Sequence, residues 1–312
     1  MRNYILRKIR GNTKNPIHIF FDKRGKQLTD KKYIEECVSG VYIPPAYDNV
    51  KINLNKKAKV LAIGYDDKDR PQYVYNKKFT EKMKKKKFYD LYLFGIQYDK
   101  IVRDINKNLK ISQDNKLKHV CMILKLIMDC DFRVGNDEYM KQNNSYGVST
   151  LKNKHVLIKG DSVTIDFIGK KSVRNVCRVK DKTIKNHLKK RKKTMKNNAR
   201  IFTVDGVSIQ SGDVNRYIKQ FGEFSSKDFR TWSANIKLIR YLIGSDKSTV
   251  DKDIKDCVDK VAEKLHHTPE VCKKNYIFTE LIEFYKRDKT KFKRYFKSNI
   301  HKRFTEFLKN NY

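Results

Sequence analysis

The sequence is poor in acidic residues, has few cysteines and contains no long apolar segment. It carries 35 Asp and Glu against 72 Lys and Arg, so its formal charge at pH 7 is +37. The six cysteines include no Cys-x-x-Cys pair, and the seven histidines do not cluster with them at zinc spacing, so no metal site is expected. No apolar run approaches the roughly 18 residues of a membrane span, and residues 1–8 lack the apolar core of a signal peptide.

These absences argue against a membrane-spanning protein and against a secreted one. Six cysteines in 312 residues predict reduced thiols and an intracellular protein. The chain has no Gly-x4-Gly-Lys-Ser/Thr loop to hold nucleotide phosphates, so neither ATP nor Mg²⁺ is expected as a cofactor. The positive charge predicts a nucleic-acid partner instead, because counterion release favours the binding of a basic surface to a phosphate backbone. An anionic membrane surface is the weaker alternative.

The length and a change of pattern along the chain predict two domains. Segments 16–30, 60–65 and 72–75 have the composition and turns of strands, so residues 1–82 are expected to form a small β-rich domain. The lysine-rich run 81–87 is typical of a solvated helix face or a linker at the boundary, and its lysines could also contact DNA phosphates.

Residues 83–312 are predicted to form a mostly helical domain that contains one antiparallel sheet. The apolar segment 117–128 indicates a buried helix. Three strands are expected between residues 156 and 177, with turns at Gly160 and Gly169. Further helices are predicted at 181–200, 212–221, 227–244, 250–265, 270–287 and 288–310. The predicted fold class is therefore α+β.

A candidate nucleophile lies near the C-terminal end. The sequence His266-His267-Thr268-Pro269 is followed by Tyr276, nine residues after the second histidine. Thr268 and Pro269 are typical of a helix start. A phenol is a weak nucleophile alone, but among cations that hold a phosphate it can attack phosphorus and keep the phosphoryl group as an ester. Since the chain has 18 tyrosines, a packing role for Tyr276 is the alternative.

Cations of the required types occur upstream. Arg133 begins Arg-Val-Gly-Asn, Lys170 follows the hairpin glycine, and Arg230 ends Lys-Asp-Phe-Arg. Two guanidiniums match the two nonbridging oxygens on which charge develops during attack on a phosphodiester. His267 can supply another donor to those oxygens, and a lysine can protonate the leaving oxygen. With these cations around the phosphate, the chemistry does not call for a metal.

Taken together and in this order, the motifs resemble the type IB DNA topoisomerases, most closely the small poxvirus-like ones. The resemblance runs nearly end to end, including Tyr-Ile-Lys-Gln-Phe-Gly before the second arginine. It implies the tyrosine recombinase/topoisomerase IB catalytic fold and a monomer whose two domains clamp duplex DNA. It also implies catalytic roles, with Tyr276 as nucleophile and Lys170 as general acid. The other matched catalytic positions are Arg133, Arg230 and His267.

The implied activity is relaxation of supercoiled duplex DNA. The tyrosine would cut one strand and become joined to the 3′-phosphate. The free 5′-hydroxyl end would rotate about the intact strand and then reseal the break, with no ATP and no essential metal. The excess of Lys over Arg, with many Asn and Ile, is typical of an A/T-rich genome such as that of a large DNA virus. Such a source would place the protein in the virion and the host cytoplasm.

The resemblance further implies residues that contact DNA. Gln72-Tyr73-Val74-Tyr75 looks like the family's contact strand, and the other expected contacts are Asn136, Tyr139, Lys154, Lys171 and Lys227. The poxvirus members carry lysines at the positions of Asn136 and Glu138. A carboxylate at position 138 would repel phosphate and could accept from a cytosine amino group, so the poxvirus pentameric target is not expected here.

The sequence leaves several alternatives open. Lys171 could be the general acid in place of Lys170, and His266 could take the place of His267. Arg133 could be a solvated charge at a helix end, and Arg230 could stack on Trp232. A tyrosine site-specific recombinase is the first functional alternative, although such enzymes usually carry histidine where this chain has Lys227. A non-catalytic basic nucleic-acid-binding protein is the second.

Overall fold

The computed structural model of the chain describes residues 1, 3–11, 16–67, 69–246 and 249–311. It divides into two compact units, Met1–Lys87 and Phe88–Tyr312. The division lies inside helix α2, Lys77–Ile111, as does the predicted domain boundary after residue 82. The exact functional boundary stays a prediction. Residues 66–71, between the predicted strands 60–65 and 72–75, are expected to form a turn, and they include Lys68, which lies outside the described residues.

The N-terminal unit contains an antiparallel sheet with the strand order β3-β2-β1-β4-β5-β6. Its elements are β1 Tyr4–Arg10, β2 Ile17–Phe21, β3 Gln27–Leu28, α1 Lys31–Val38, β4 Asp48–Asn53, β5 Val60–Tyr65 and β6 Pro71–Tyr75. Gly25 takes a φ of +87° in the turn between β2 and β3, a conformation that favours glycine. Asp30 begins α1 because its side chain accepts a hydrogen bond from the Tyr33 backbone N–H.

Strands β2, β3, β5 and β6 were predicted from the sequence, whereas β1, β4 and α1 were not. In β4 the buried residues Val50 and Ile52 alternate with Asn49 and Lys51. They pack with Ile5 of β1 in the core of this unit. This alternation of buried apolar and outward polar residues is the pattern of a sheet with only one buried face, but with two apolar residues it is too short to stand out in the sequence.

The second unit is mostly helical, and the predicted α+β class is confirmed. Its helices after α2 are α3 Asn115–Cys130, α4 Asp137–Asn143, α5 Lys182–Thr194, α6 Ser211–Lys219, α7 Ser226–Ile243, α8 Val250–Lys264, α9 Pro269–Asn275, α10 Thr279–Arg287, α11 Lys289–Phe296 and α12 Ile300–Lys309. The antiparallel sheet β7-β8-β9 contains Val156–Lys159, Ser162–Ile168 and Arg174–Arg178, and a small hairpin pairs β10 Thr203–Val204 with β11 Val207–Ser208.

Two predicted C-terminal helices are each divided in the structure. The prediction of one helix at 270–287 is wrong, because α9 ends at Asn275 and α10 begins at Thr279. Asn235 holds this break: its side chain donates to the Tyr276 carbonyl and accepts from the Phe278 N–H, both at 2.8 Å. The predicted helix 288–310 is likewise divided into α11 and α12. A left-handed Asn299 accepts from a backbone N–H in the first turn of α12.

The expectation that all cysteines are reduced is wrong for one pair. Cys130, at the end of α3, and Cys177, in β9, form a disulfide, and their Cα atoms lie 5.7 Å apart. The two residues are 47 positions apart in the chain, so their sequence spacing gave no sign of the pairing. The four free cysteines, Cys37, Cys121, Cys257 and Cys272, are all buried.

No helix in the described ranges has both the length and the apolarity that a membrane span needs.

Candidate active site

The five residues predicted to act on phosphate line one cavity of about 550 Å³ in the second unit. The cavity brings together Arg133 from the loop after α3, Lys170 from the β8–β9 hairpin, Arg230 from α7, and the His267 and Tyr276 that flank α9. Lys171, Lys227 and His266 also contribute to its wall. Residues spread over more than a hundred positions therefore share one concave surface.

Tyr276 lies at the C-terminal end of α9 and is 7% exposed. Its hydroxyl accepts from Arg230 Nη1 at 3.1 Å and lies 3.1 Å from His267 Nε2. The Arg230 guanidinium carbon is 5.2 Å from the centroid of the tyrosine ring. Thr268 begins α9 by accepting from the Val271 N–H, and Pro269 follows it, so the local sequence fixes where this short helix starts and ends.

Arg230 is 3% exposed and held on several sides. Nε donates to the Asp131 carbonyl and Nη2 donates to the Leu265 carbonyl, both at 2.7 Å, which leaves Nη1 for the tyrosine. Burial lowers the pKa of Arg230 to about 10, so the guanidinium stays charged at pH 7. Arg230 lies over the ring of Tyr276 and not, as the alternative had it, over that of Trp232, whose Nε1 donates to His301 Nδ1 at 3.0 Å.

Arg133 and His267 contact each other directly. Arg133 Nη2 lies 2.7 Å from His267 Nε2, and because a guanidinium can only donate, this imidazole nitrogen accepts. Burial first, and then the nearby Arg133 and Arg230, lower the pKa of His267 to about 3. The imidazole is therefore neutral at pH 7 in the structure described.

The backbone around Arg133 is fixed by close packing. The Val148 N–H donates to the Arg133 carbonyl at 2.9 Å. Gly135 has a φ of +93°, and a Cβ on Gly147 would clash with the Gly135 backbone. Both glycines thus permit the approach that positions the arginine.

The two neighbouring histidines have different positions. His266 has a φ of +55°, and its ring packs on Phe132 with the centroids 5.8 Å apart. His267 is the one whose ring reaches both Tyr276 and Arg133. The catalytic assignment within this pair stays a prediction, which the geometry favours for His267.

Lys170 and Lys171 lie together at the exposed tip of the β8–β9 hairpin. Lys170 Nζ is 5.4 Å from the centroid of the Tyr139 ring. Partial desolvation at the cavity wall, followed by repulsion from Arg133, Lys171 and Lys227, lowers the pKa of Lys170. A lowered pKa makes a lysine a better proton donor near neutral pH. Lys171 has a left-handed backbone with a φ of +61° and also lines the cavity, so position alone does not separate the two candidates.

A second cavity of about 530 Å³ shares Arg133 and Lys170 with the first. Asn136, Glu138 and Tyr139 contribute to it from α4 and the residue before that helix. The Asn136 side chain accepts from the Tyr139 N–H at 2.9 Å, which is the role of a helix N-cap. This part of the predicted DNA surface is therefore contiguous with the first cavity, where the five predicted catalytic residues lie.

The remaining predicted DNA contacts lie apart from these cavities or in the other unit. Lys154 is exposed, with its Nζ 5.9 Å from the centroid of the Tyr146 ring. In the N-terminal unit, Tyr73 and Tyr75 are 50% and 44% exposed and their rings stack at 6.1 Å. Gln72 donates to an Asp66 oxygen at 3.0 Å. Exposed aromatic rings on a strand offer a surface for contact with nucleic acid.

Sequence reasoning missed residues that act through their backbone or from within the core. The carbonyls of Asp131 and Leu265 hold Arg230, and a carbonyl leaves no signature in a sequence. Asn235 is fully buried on α7, one turn beyond Thr231. Its position as a polar residue on an apolar helix face was the one sign in the sequence that its side chain makes structural hydrogen bonds. Within the described residues, no three His, Cys, Asp or Glu side chains are grouped as metal ligands.

Comparison with known proteins identifies the family. The model of the eukaryotic DNA topoisomerase I catalytic core matches residues 76–303. DNA topoisomerase 1B of Acanthamoeba polyphaga mimivirus is 31% identical over 288 residues, which cover 87% of this chain and 85% of that protein. DNA topoisomerase 1B of vaccinia virus (strain Copenhagen) is 28% identical over 288 residues, with 85% and 89% covered.

These relatives confirm the resemblance that the motifs predicted. They favour a topoisomerase over the recombinase and the non-catalytic binding protein that the sequence left open. The chain belongs to the type IB DNA topoisomerases, a family of isomerases that act on DNA.

Proposed function

We propose that the protein relaxes supercoiled duplex DNA by transient cleavage of one strand, with Tyr276 as the nucleophile. The tyrosine hydroxyl loses its proton to solvent and its oxygen bonds to phosphorus while the bond from phosphorus to the 5′-oxygen breaks, which leaves a 3′-phosphotyrosyl ester and a free 5′-hydroxyl. The free end rotates about the intact strand. The 5′-hydroxyl then attacks the ester, which restores the phosphodiester and frees the tyrosine, whose oxygen takes a proton back from solvent.

The observation that carries the proposal is the convergence of five side chains on one cavity, with the phenol oxygen 3.1 Å from both Arg230 and His267. In the proposed reaction Arg133 and Arg230 donate to the nonbridging oxygens as charge develops there. The phosphate anion raises the proton affinity of the His267 imidazole, which then donates from Nε2.

Lys170 is proposed to give its proton to the leaving 5′-oxygen. Its lowered pKa supports this role, since burial and three neighbouring cations make the ammonium more acidic. When the strand reseals, the neutral amine takes the proton back from the attacking hydroxyl. Lys171 is the alternative donor at the same hairpin tip.

Duplex DNA is the proposed partner, and a monomer suffices because all five side chains come from one chain. Asn136, Tyr139, Lys154, Lys171 and Lys227 are the proposed contacts of the second unit. Gln72, Tyr73 and Tyr75 are the proposed contacts of the N-terminal unit. The viral origin of relatives such as the mimivirus and vaccinia proteins supports a viral source. Action in the virion and the host cytoplasm stays a prediction.

The proposal includes no nucleotide and no essential metal, because the ester conserves the bond energy and the side-chain cations stabilise the phosphate charge. We therefore expect relaxation of both positive and negative supercoils in EDTA without ATP. Gel electrophoresis of plasmid topoisomers measures this directly. A strict requirement of strand cleavage for Mg²⁺ or ATP would contradict the mechanism, whereas mild stimulation by Mg²⁺ is compatible with faster release of DNA from a basic protein.

A further inference from the structure

The position of Arg230 depends on a backbone atom of another segment. Its Nε donates to the carbonyl oxygen of Asp131 at 2.7 Å, and this contact joins α7 to the residue that ends α3. A buried guanidinium held by a carbonyl is only as well placed as the peptide group that carries the carbonyl. Whatever fixes the backbone of Asp131 therefore bears on Arg230.

The Asp131 side chain returns to α7. Its Oδ2 pairs with Lys237 Nζ at 2.8 Å, and the two side chains are only 4% and 23% exposed. Lys237 lies seven residues, about two helical turns, after Arg230, so both project from the same face of α7. Asp131 thus contacts α7 twice, through its carbonyl at Arg230 and through its carboxylate at Lys237.

The same segment carries the other arginine. Asp131 has a left-handed backbone, with φ 55° and ψ 23°, at the point where the chain leaves α3. Only Phe132, which is fully buried, separates Asp131 from Arg133. A change in the conformation of Asp131 would therefore be transmitted to both guanidiniums of the cavity.

The carboxylate also influences the charge of the site. Burial lowers the pKa values of Arg230 and His266, and in both cases the negative charge of Asp131 acts in the opposite direction. Its Oδ1 is buried and has no hydrogen-bond partner among the described residues. A buried carboxylate of this kind is costly unless its charge is used by neighbouring cations.

We propose that the buried Asp131–Lys237 ion pair is a positioning device for the cleavage reaction, which fixes Arg230 through the Asp131 carbonyl and Arg133 through the adjoining backbone. This inference rests on the proposed function of the two arginines. It assigns to Asp131 and Lys237 no contact with the DNA. Their loss is expected to impair transition-state stabilisation and to leave the binding of the duplex nearly unchanged.

The test uses Asp131→Asn, because asparagine keeps the size of the side chain and tolerates the left-handed backbone while it removes the charge. Single-turnover cleavage should slow by about 10-fold to 100-fold, the range expected when a catalytic group is slightly misplaced. The dissociation constant for uncleaved duplex should change less than about threefold, since a positioning residue acts on the reaction step. Lys237→Met should reproduce both results, and Lys237→Arg should restore most of the rate.

A matched control is available in Asp253→Asn. Asp253 is 1% exposed and pairs with Lys289 at 2.7 Å, so this substitution also removes a buried carboxylate from a lysine in the same unit. The thermal stability of Asp253→Asn should fall by about as much as that of Asp131→Asn. The cleavage rate of Asp253→Asn below its melting temperature should stay within about twofold of wild type. Equal slowing by both carboxylate variants would overturn the proposal, because it would indicate a general loss of stability.

A double-mutant cycle separates this inference from the function on which it rests. In an Arg230→Ala background, Asp131→Asn should slow cleavage much less than it does in the wild-type protein. On a logarithmic scale, the slowing should be less than about half as large, because the effects of residues that act through one another are not additive. In a Lys170→Ala background the two effects should multiply. Full additivity with Arg230→Ala, or wild-type cleavage by Asp131→Asn, would overturn the inference alone. Wild-type cleavage by Arg230→Ala itself would instead overturn the proposed function.

Discussion

The nucleophile side and the hairpin side of the catalytic cavity are built in different ways. On the nucleophile side, Arg230 is buried, donates to two carbonyls and touches the hydroxyl of Tyr276. On the hairpin side, Lys170 and Lys171 are exposed at the end of a two-stranded projection. We infer that the fold pre-organises the proposed nucleophile, whereas the proposed proton donor lies at an exposed hairpin tip.

The largest effect is expected from a change on the nucleophile side. Tyr276→Phe should abolish relaxation and the covalent adduct, because it removes only the oxygen that attacks phosphorus. Duplex affinity should stay nearly intact, and a filter-binding measurement serves as the control for folding. Residual relaxation by the purified variant would contradict the assignment of Tyr276 as the nucleophile.

Lys170→Ala tests the hairpin side. Cleavage of normal DNA should slow by about 10²–10⁴-fold, the range for a lost general acid. A strand with a bridging 5′-sulfur at the scissile phosphate should be cut at nearly the wild-type rate, because a thiolate leaves without a proton. Rapid-quench kinetics on both strands give the comparison. Lys171→Ala should have little effect on the cleavage of either strand. If the bridging sulfur restored the rate of Lys171→Ala and not that of Lys170→Ala, Lys171 would be the general acid.

Arg133→Ala gives the contrasting pattern. Loss of a donor to a nonbridging oxygen should slow cleavage by about 10²–10³-fold. The slowing should be alike for oxygen and sulfur leaving groups, since the lost contact is not with the leaving atom. If the bridging sulfur restored the rate of Arg133→Ala, the division of the cavity into a nucleophile side and a hairpin side that donates the proton would be wrong.

The smallest expected effect is a loss of thermal stability at acidic pH. Burial lowers the pKa values of His119, His155 and His187 to about 4 and that of His267 to about 3. The unfolded chain, with histidine pKa values near 6.5, therefore binds more protons between about pH 4 and 6.5. Stability should fall as the pH is lowered through that window, so the melting temperature at pH 5 should lie below that at pH 7.5. An unchanged or higher melting temperature at pH 5 would contradict the neutral state of these histidines, which include His267 of the nucleophile side.

The sequence predicted those parts of the molecule that depend on residue type and periodicity. The apolar run of α3 and the strands of the β7-β8-β9 sheet follow from such patterns. The five predicted catalytic residues, which line one cavity, were grouped instead through the resemblance of their motifs to the type IB topoisomerases, and the chemistry of phosphate attack accounts for their residue types.

Features that depend on three-dimensional neighbours could not be predicted. The carbonyls that hold Arg230 have no side-chain signature, and the break after Tyr276 requires Asn235 from another helix. The Cys130–Cys177 bond joins residues far apart in the chain. In each case the decisive partner lies on a different element, so local patterns carried no information about it.

The most direct test of the central claim is to identify the residue that becomes joined to DNA. A duplex whose short cut fragment dissociates after cleavage would accumulate the covalent complex for digestion with trypsin and tandem mass spectrometry. Cleavage after Lys274 and Lys286 gives a fragment, residues 275–286, that contains both Tyr276 and Tyr285. We predict that the nucleotide is attached through its 3′-phosphate to Tyr276. Attachment to the fully buried Tyr285, to another residue or through a 5′-phosphate would contradict the account.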